Sequence, residues 1–184
     1  MDKKSLRRNV KAATLEFISS GGVERRLSAE KAIWNALEAL PSFAAASTVL
    51  VYSALPDEVQ TAEFIGRWAG RKRIVLPVVD GENLLLREMP GGKAGGLVSG
   101  YRGILEPGPD CKEVRPGEID FAIIPGVAFT ADGWRLGRGR GYYDRLLPQL
   151  HCPRVGTAYP TQIVPSMPLD PWDIRLDAVI GANP

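Results

Sequence analysis

The stretch that decides the fold is IDFAIIPGVAFTADGWRLGRGRGYYDRLL, residues 119–147. Residues 119–124 form a short apolar run, which is typical of a buried strand. Gly137, Gly139 and Gly141 then alternate with arginines, and residues 142–147 resemble the opening of a helix. Strand, glycine-rich loop and helix in this order suit phosphate. Glycines let backbone N–H groups approach an anion, and a helix N-terminus adds a favourable dipole.

The charged side chains of this stretch also suit phosphate. Arg135, Arg138 and Arg140 supply fixed positive charge and forked N–H donors. Asp144 supplies a carboxylate that can hold a metal ion bound to the phosphate. The glycine spacing fits neither the Walker pattern nor the dinucleotide-binding fingerprint. A flexible hairpin tip stays open as an interpretation, whereas an RNA-binding glycine–arginine segment is disfavoured because the run is short and lies between ordered elements.

Composition indicates an ordinary soluble domain. The chain has 184 residues, of which 45% are hydrophobic and 24% charged, and we expect one domain over residues 1–184. A net charge of +2 is too small to indicate nucleic acid or membrane as a partner. Two cysteines do not make a disulfide framework, and neither a secretory signal nor a membrane-spanning run is visible. We therefore expect a cytoplasmic protein.

Helices and strands alternate along the chain. The predicted helices are residues 3–19, a second helix from an N-cap at Ser28 to a stop at Pro41, and residues 62–68 after a cap at Thr61. The predicted strands are residues 48–52, 73–77, 84–87, 119–124, 153–159 and 176–180, of which the second is closed by Pro77. The glycine-rich stretch from Gly91 to Gly100 is predicted to be a loop and is a candidate lid.

This alternation predicts an α/β sandwich with a largely parallel sheet. Ligands of such sheets lie beyond the carboxyl ends of the strands. The loops at residues 53–58 and 125–142 both follow predicted strands, so we expect them to share one rim.

Charged clusters elsewhere have two interpretations each. Basic residues crowd the start of the first helix, where they oppose its dipole, so they form either a solvated face or a site for an anion. Asp57 and Glu58 either cap a helix or bind an N–H-rich ligand. An aspartate near the C-terminus either serves a turn or joins Asp144 in holding Mg²⁺. A catalytic dyad of His151 and Cys152 is disfavoured, because adjacent side chains point in different directions.

Several sequence blocks, taken together, resemble the 5-formyltetrahydrofolate cyclo-ligase family, whose members are also called methenyltetrahydrofolate synthetases. The blocks are residues 3–7, 52–61, 103–107, 125–129, 133–144, 162–164, Pro168 and Asp173. The resemblance extends over nearly the whole chain. It implies a single-domain, three-layer sandwich with a mostly parallel central sheet, similar to the CoA-transferase-like fold.

The resemblance also implies a reaction. Family members use MgATP to convert 5-formyltetrahydrofolate to 5,10-methenyltetrahydrofolate, releasing ADP and phosphate. The formyl oxygen attacks the γ-phosphate, the neighbouring folate amine closes the ring, and phosphate leaves. Such chemistry needs positioning and charge stabilisation rather than a protein nucleophile. The expected partners are therefore small molecules, namely ATP and a reduced folate, with Mg²⁺ as the metal. We expect a monomer, with a weak dimer as the alternative.

Site residues carry over by position. The resemblance implies that ATP is bound by Lys3, Lys4, Arg7, Arg135, Gly137, Arg138, Gly139, Arg140, Gly141, Tyr142 and Tyr143. Folate contacts are implied for Ser53, Glu58, Arg138, Gly139, Arg140, Gly141 and Tyr142. The implied catalytic residues are Arg138, Arg140 and Tyr142, and the implied Mg²⁺ ligands are Asp144 and Asp173.

Two positions depart from the family pattern. Trp172 stands before Asp173, where a small polar residue or a histidine is expected, and Arg102 stands before Gly103, where an aromatic residue is expected. Tyr101 is the candidate substitute for that aromatic. Two alternative functions are a nucleotide- or RNA-binding module without turnover and an isomerase or CoA transferase of similar fold. An isomerase or CoA transferase should carry a catalytic carboxylate or lysine in a motif of its own, and this sequence shows no such motif.

Overall fold

The computed structural model describes residues 2–20, 22–90, 97–100 and 105–181. The helices are α1 (Lys3–Ser20), α2 (Gly22–Glu38), α3 (Pro41–Ala45), α4 (Ala62–Trp68) and α5 (Tyr142–Leu146). The strands are β1 (Thr48–Leu50), β2 (Arg73–Asp80), β3 (Asn83–Glu88), β4 (Leu97–Ser99), β5 (Leu105–Pro107), β6 (Phe121–Ile124), β7 (Ala128–Phe129), β8 (Arg135–Leu136), β9 (Arg154–Ala158) and β10 (Ala178–Gly181).

A mostly parallel sheet lies at the centre of the molecule. In the described part of the chain it has six strands in the order β10-β9-β6-β1-β2-β3. All neighbouring strands run parallel except β3, which pairs antiparallel with β2 at the edge. The predicted fold class is confirmed. Because β2 and β6 flank β1, the strand order reverses beside β1, and α/β sheets bind ligands in the crevice at such a point.

Alternating side chains of the strands face two apolar layers. Val49 and Ile74 point into a cluster with buried residues of α1, α2, α3 and α4, whereas Leu50 and Val75 point into a second cluster with Leu146 of α5. Successive side chains of a strand lie on opposite faces, and strands buried on both faces are therefore apolar throughout. The sheet is thus the middle of three layers.

A third, smaller apolar cluster attaches the N-terminal helix to the rest of the fold. Leu6 and Val10 of α1 pack against Val127, Ala128 and Leu136, which belong to the β7–β8 hairpin and the residue before it. The hairpin leads directly into the glycine-rich loop. This contact therefore brings the basic start of α1 next to that loop.

Two sequence-based boundaries are wrong, and one proline has a further role that the sequence did not predict. Helix α2 begins at Gly22 rather than after Ser28, with Glu24 in its first turn, where a negative charge favours the helix dipole. Strand β2 continues through Pro77 to Asp80, since β1 has ended by then and a strand tolerates proline where it has a free edge. Pro41 starts α3 instead of only ending α2, because proline suits the first turn of a helix.

The glycine-rich stretch differs partly from its prediction as a loop. Leu97–Ser99 forms β4 and pairs antiparallel with β5. Residues 91–96 and 101–104 lie outside the described residues, and the lid hypothesis and the predicted roles of Tyr101 and Arg102 lie there with them. Within the described ranges, no helix is long and apolar enough to cross a membrane.

Phe43 tests the larger core. Its ring is fully buried and lies 5.7 Å from that of Phe64, 5.0 Å from that of Trp68 and 5.5 Å from that of Phe121, measured between centroids. We expect Phe43→Ala to lower the free energy of unfolding in urea by about 3–5 kcal/mol, because the cavity cannot fill completely. The exposed control Val23→Ala should change it by less than about 0.5 kcal/mol. Equal effects would contradict this account of the core.

Candidate active site

A cavity of about 360 Å³ opens at the reversal point of the sheet, within the usual size range of small-molecule sites. Its lining residues are Arg7, Lys11, Tyr52, Ser53, Leu55, Glu58, Pro77, Val79, Leu84, Glu106, Pro125, Gly126, Val127, Arg135, Gly137, Arg138, Gly139, Arg140, Gly141, Tyr142, Tyr143 and Asp144. The loops that follow β1 and β6 both contribute, so the expectation of a shared rim is confirmed. Parallel pairing of Leu50 with Ala122 starts the two loops side by side.

The loop after β1 is shaped by its own hydrogen bonds. The predicted N-cap Thr61 makes no side-chain bond to its helix, and its hydroxyl instead accepts from the backbone N–H of Ala54 at 3.2 Å. The hydroxyl of Tyr52 donates to the carbonyl of Val59 at 2.9 Å. The N–H of Leu55 donates to Oε2 of Glu58, also at 2.9 Å. The loop therefore closes on itself and directs Glu58 into the cavity.

Arg138 joins this loop to the glycine-rich loop. Its guanidinium donates to both carboxylate oxygens of Asp57, at 3.1 and 2.7 Å, and twice to Oε1 of Glu58, at 3.0 and 2.9 Å. Burial raises the pKa of Glu58, and the Arg138 charge opposes this only in part. Burial acts on Asp57 as well, but its bonds to Arg138 prevail and lower its pKa. The structure thus brings together the predicted residues Glu58 and Arg138.

Arg135 forms the buried floor of the glycine-rich loop. Its side chain is 4% exposed and donates to Oδ1 of Asp144 at 2.5 Å and to the carbonyl of Pro125 at 3.3 Å. Its Nε has no hydrogen-bond partner among the described residues. Burial lowers the pKa of Arg135, an effect that the charges of Asp144 and Asp173 oppose. Both carboxylates therefore lie within electrostatic reach of this cation.

Each glycine of the loop is required for its own structural reason. A Cβ on Gly137 would lie 2.8 Å from Nη1 of Arg135, so a side chain there would displace the guanidinium. Gly139 and Gly141 have φ of +85° and +73°, which side chains disfavour. Arg7 reaches the loop from α1, and its Nε donates to the carbonyl of Gly137 at 2.7 Å. The predicted neighbourhood of the N-terminal helix and this loop is therefore present.

The helix after the loop is shorter than expected. Helix α5 has five residues, so the helix dipole that the sequence suggested contributes little, and the positive charge near the loop comes mainly from side chains. Tyr142 and Tyr143 both line the cavity, and the Tyr142 hydroxyl donates to the carbonyl of Gly81 at 3.4 Å. Burial raises the pKa of Tyr143. Arg140 is exposed at the rim.

Three predicted residues are not part of the cavity lining. Lys3 donates from Nζ to Asp170 and to Asp173, at 2.6 Å in each case, and Lys4 is exposed. Asp173 also accepts from the backbone N–H of Asp170 at 2.7 Å. The predicted phosphate contact Lys3 and the predicted metal ligand Asp173 therefore bind each other in this structure.

Sequence reasoning missed part of the wall. Lys11 lies one helical turn after Arg7, and this spacing was the available signal for it. Val79 enters because β2 is longer than predicted, and Pro77 of β2 and Leu84 of β3 line the cavity beside it. Glu106 belongs to one of the sequence blocks that resemble the family, and burial raises its pKa. These residues add an apolar side and a further carboxyl to the cavity.

The fold and the cavity together define an α/β protein that has a cationic, glycine-rich loop at the carboxyl ends of parallel strands. The profile of the 5-formyltetrahydrofolate cyclo-ligase family matches residues 1–182, and the chain belongs to that family. The 5-formyltetrahydrofolate cyclo-ligase of Escherichia coli strain K12 is 36% identical over 149 residues, which are 76% of this chain and 80% of that protein.

Two solved structures are similar over nearly the whole chain. The NMR structure of Aquifex aeolicus 5,10-methenyltetrahydrofolate synthetase has a TM-score of 0.87 at 32% identity and covers 98% of this chain and 90% of its own. The corresponding Mycoplasma pneumoniae protein has a TM-score of 0.78 at 27% identity and covers 98% of each chain. The predictions of the family and of an enzyme are confirmed, and the isomerase or CoA-transferase alternative is set aside.

Gly139 tests the conformation of the loop. We expect Gly139→Ala to lower the free energy of unfolding by about 1–2 kcal/mol, because its positive φ disfavours a Cβ. Gly66→Ala is the control, since it lies inside α4 with nothing within 4 Å of a new Cβ. That variant should gain about 0.5–1 kcal/mol. Urea denaturation of both variants measures the difference, and a neutral Gly139→Ala would mean that the loop adopts another conformation.

Proposed function

We propose that this protein converts 5-formyltetrahydrofolate to 5,10-methenyltetrahydrofolate, with consumption of MgATP and release of ADP and phosphate. The observation that supports this most is Arg138, which connects the cationic glycine-rich loop to Glu58 across one cavity. Relatives carry names that refer to the same substrate or to the same product. The cavity thus offers one side suited to a triphosphate and another suited to N–H donors.

The proposed chemistry has two stages. The formyl oxygen of the folate attacks the γ-phosphorus, and the bond from that phosphorus to the β–γ bridging oxygen breaks, which releases ADP. The folate N10 nitrogen then attacks the activated carbon and loses its proton, and the carbon–oxygen bond breaks to release phosphate. Neither stage needs a protein nucleophile, so the protein contributes orientation and charge stabilisation.

Cations around the loop are proposed to bind the triphosphate. Arg7 and Arg135 hold the loop on both sides, and backbone N–H groups of the loop from Gly137 to Tyr143 complete the cradle. Lys3 and Lys4 reach the same ligand from the start of α1, which for Lys3 requires exchange of its aspartate partners. Arg138, Arg140 and Tyr142 lie where the two substrates meet, and we propose them as the residues that contact the reacting groups.

The folate is proposed to lie against the loop after β1. Glu58 accepts hydrogen bonds from the donor edge of the pterin, because a carboxylate accepts two parallel donors well. Ser53 lines the cavity next to it. The apolar side chains of Leu55, Val79 and Leu84 suit the flat ring.

Asp144 and Asp173 are proposed to hold Mg²⁺. Mg²⁺ usually takes only one or two carboxylates, together with phosphate oxygens and waters. The described residues contain no group of three or more acidic, histidine or cysteine side chains that could hold a metal ion, and a Mg²⁺ site of two aspartates does not require one. Asp144 lines the cavity and is 38% exposed at its side chain, so it is accessible to an ion. An Mg²⁺ ion held there would neutralise charge on the phosphates.

We also propose a cytoplasmic monomer. Cys111 and Cys152 are not joined by a disulfide, which suits a reducing compartment.

Turnover is the direct test. Purified protein with Mg²⁺, ATP and 5-formyltetrahydrofolate should produce the near-ultraviolet absorbance of the methenyl product, and omission of ATP should abolish it. Binding of ATP without any product at micromolar enzyme would sink the ligase proposal and favour a binding module without turnover.

The metal ligand can be tested separately. Asp144→Asn should raise the Mg²⁺ concentration needed for half-maximal turnover by about tenfold or more, because an amide is a poorer ligand than a carboxylate. The exposed Asp110→Asn is the matched control and should leave the titration unchanged. Thermal melting of both variants identifies any general loss from the broken Arg135 pair. An unaltered metal titration in Asp144→Asn would count against this ligand.

A further inference from the structure

The two carboxylates that bind Arg138 are not equivalent. Asp57 uses both oxygens in a forked pair with Nη1 and Nη2, at 3.1 and 2.7 Å. Glu58 offers Arg138 a single oxygen, Oε1, which Nε and Nη2 share at 3.0 and 2.9 Å. Its other oxygen accepts from Leu55. Forked pairs fix a guanidinium in its plane, whereas a shared single oxygen does not.

Their positions relative to the cavity also differ. Glu58 lines the cavity, and Asp57 is absent from the lining although both side chains are below 10% exposed. The pKa of Asp57 is lowered by Arg138, whereas burial keeps that of Glu58 raised. The forked pair makes Asp57 the partner that fixes Arg138 from outside the cavity lining, whereas Glu58 binds Arg138 through one oxygen and faces the ligand space.

We propose that Asp57 is a positioning residue that anchors Arg138, while Glu58 exchanges Arg138 for the substrate. This inference rests on the proposed function. The donor edge of the folate competes with Nε and Nη2 of Arg138 for Oε1 of Glu58. The forked pair with Asp57 keeps the guanidinium in place during this exchange, and the released N–H donors then face the space where the formyl oxygen meets the γ-phosphate.

Loss of the anchor has two consequences. Among the described residues, Arg138 would retain Glu58 as its only carboxylate partner, so the folate would compete against a more tightly held cation. Once displaced, the guanidinium would also have no fixed position from which to stabilise charge. Asp57 therefore affects both folate binding and the chemical step, and it acts on each through Arg138.

Asp57→Asn tests this with little change in shape. We expect the KM for 5-formyltetrahydrofolate to rise and kcat to fall, each by about tenfold. Asp57→Glu keeps the charge and should recover part of both losses. A purely structural role would instead reduce active enzyme, lowering kcat alone, and it would do so in proportion to the folded fraction measured by circular dichroism.

A double-mutant cycle with Arg138→Gln decides whether Asp57 acts through Arg138. Asp57→Asn should have little further effect on kcat/KM once Arg138 is replaced. If the fold-losses in kcat/KM of the two single variants multiply in the double variant, Asp57 does not act through Arg138. That result would overturn the anchoring role and leave the proposed function intact. No turnover by the unmodified protein would overturn the proposed function itself.

Stability of the ligand-free protein gives a readout that is independent of activity. Arg138→Gln leaves two buried carboxylates without their cation and should lower the melting temperature. Adding Asp57→Asn removes one of these charges, so the double variant should melt at a higher temperature than Arg138→Gln alone. A lower melting temperature of the double variant would show that the forked pair is not the main interaction of Asp57.

Discussion

The buried guanidinium of Arg135 is the constraint on which the cavity depends. A cation with a 4% exposed side chain loses most of its hydration, and this cost is offset only where its partners are fixed. Asp144 and the carbonyl of Pro125 are those partners, so the end of β6, the β7–β8 hairpin and the start of α5 are held together around one charge. Gly137 lies so close to the guanidinium that a side chain there would disturb it.

Ion pairs occupy the positions that we propose for contacts to the ligands. Arg138 binds Asp57 and Glu58, Arg135 binds Asp144, and Lys3 binds Asp170 and Asp173. Several of these groups are the proposed contacts of phosphate, metal ion and folate. Binding would then replace internal partners by ligand groups instead of ordering free side chains. Before the substrates arrive, the internal ion pairs lower the free-energy cost of keeping these charges partly buried.

Two kinds of interaction position these charges, namely strand pairing in the sheet and apolar packing of the N-terminal helix. Parallel pairing of β1 with β2 and β6 sets the two rim loops side by side. Apolar contacts of Leu6 and Val10 with the β7–β8 hairpin then hold α1 across the opening. Non-directional burial therefore positions Arg7, and a hydrogen bond to Gly137 completes its placement. Arg7 and Lys11 of α1 consequently form part of the wall of the site, whereas Lys4 and Arg8 remain on a solvated face.

The sequence by itself determined the fold class, the rim loops and most of the cavity lining. These depend on local periodicity, on glycine and proline chemistry and on blocks of residues shared with a family. The length of β2 was not predictable from the sequence, because Pro77 is tolerated only where β1 no longer pairs with β2, and this depends on how the strands pair. Only the tertiary structure decided which carboxylate meets which cation. Asp57 and Arg138 are 81 positions apart, and their pairing depends on burial and geometry that no local pattern encodes.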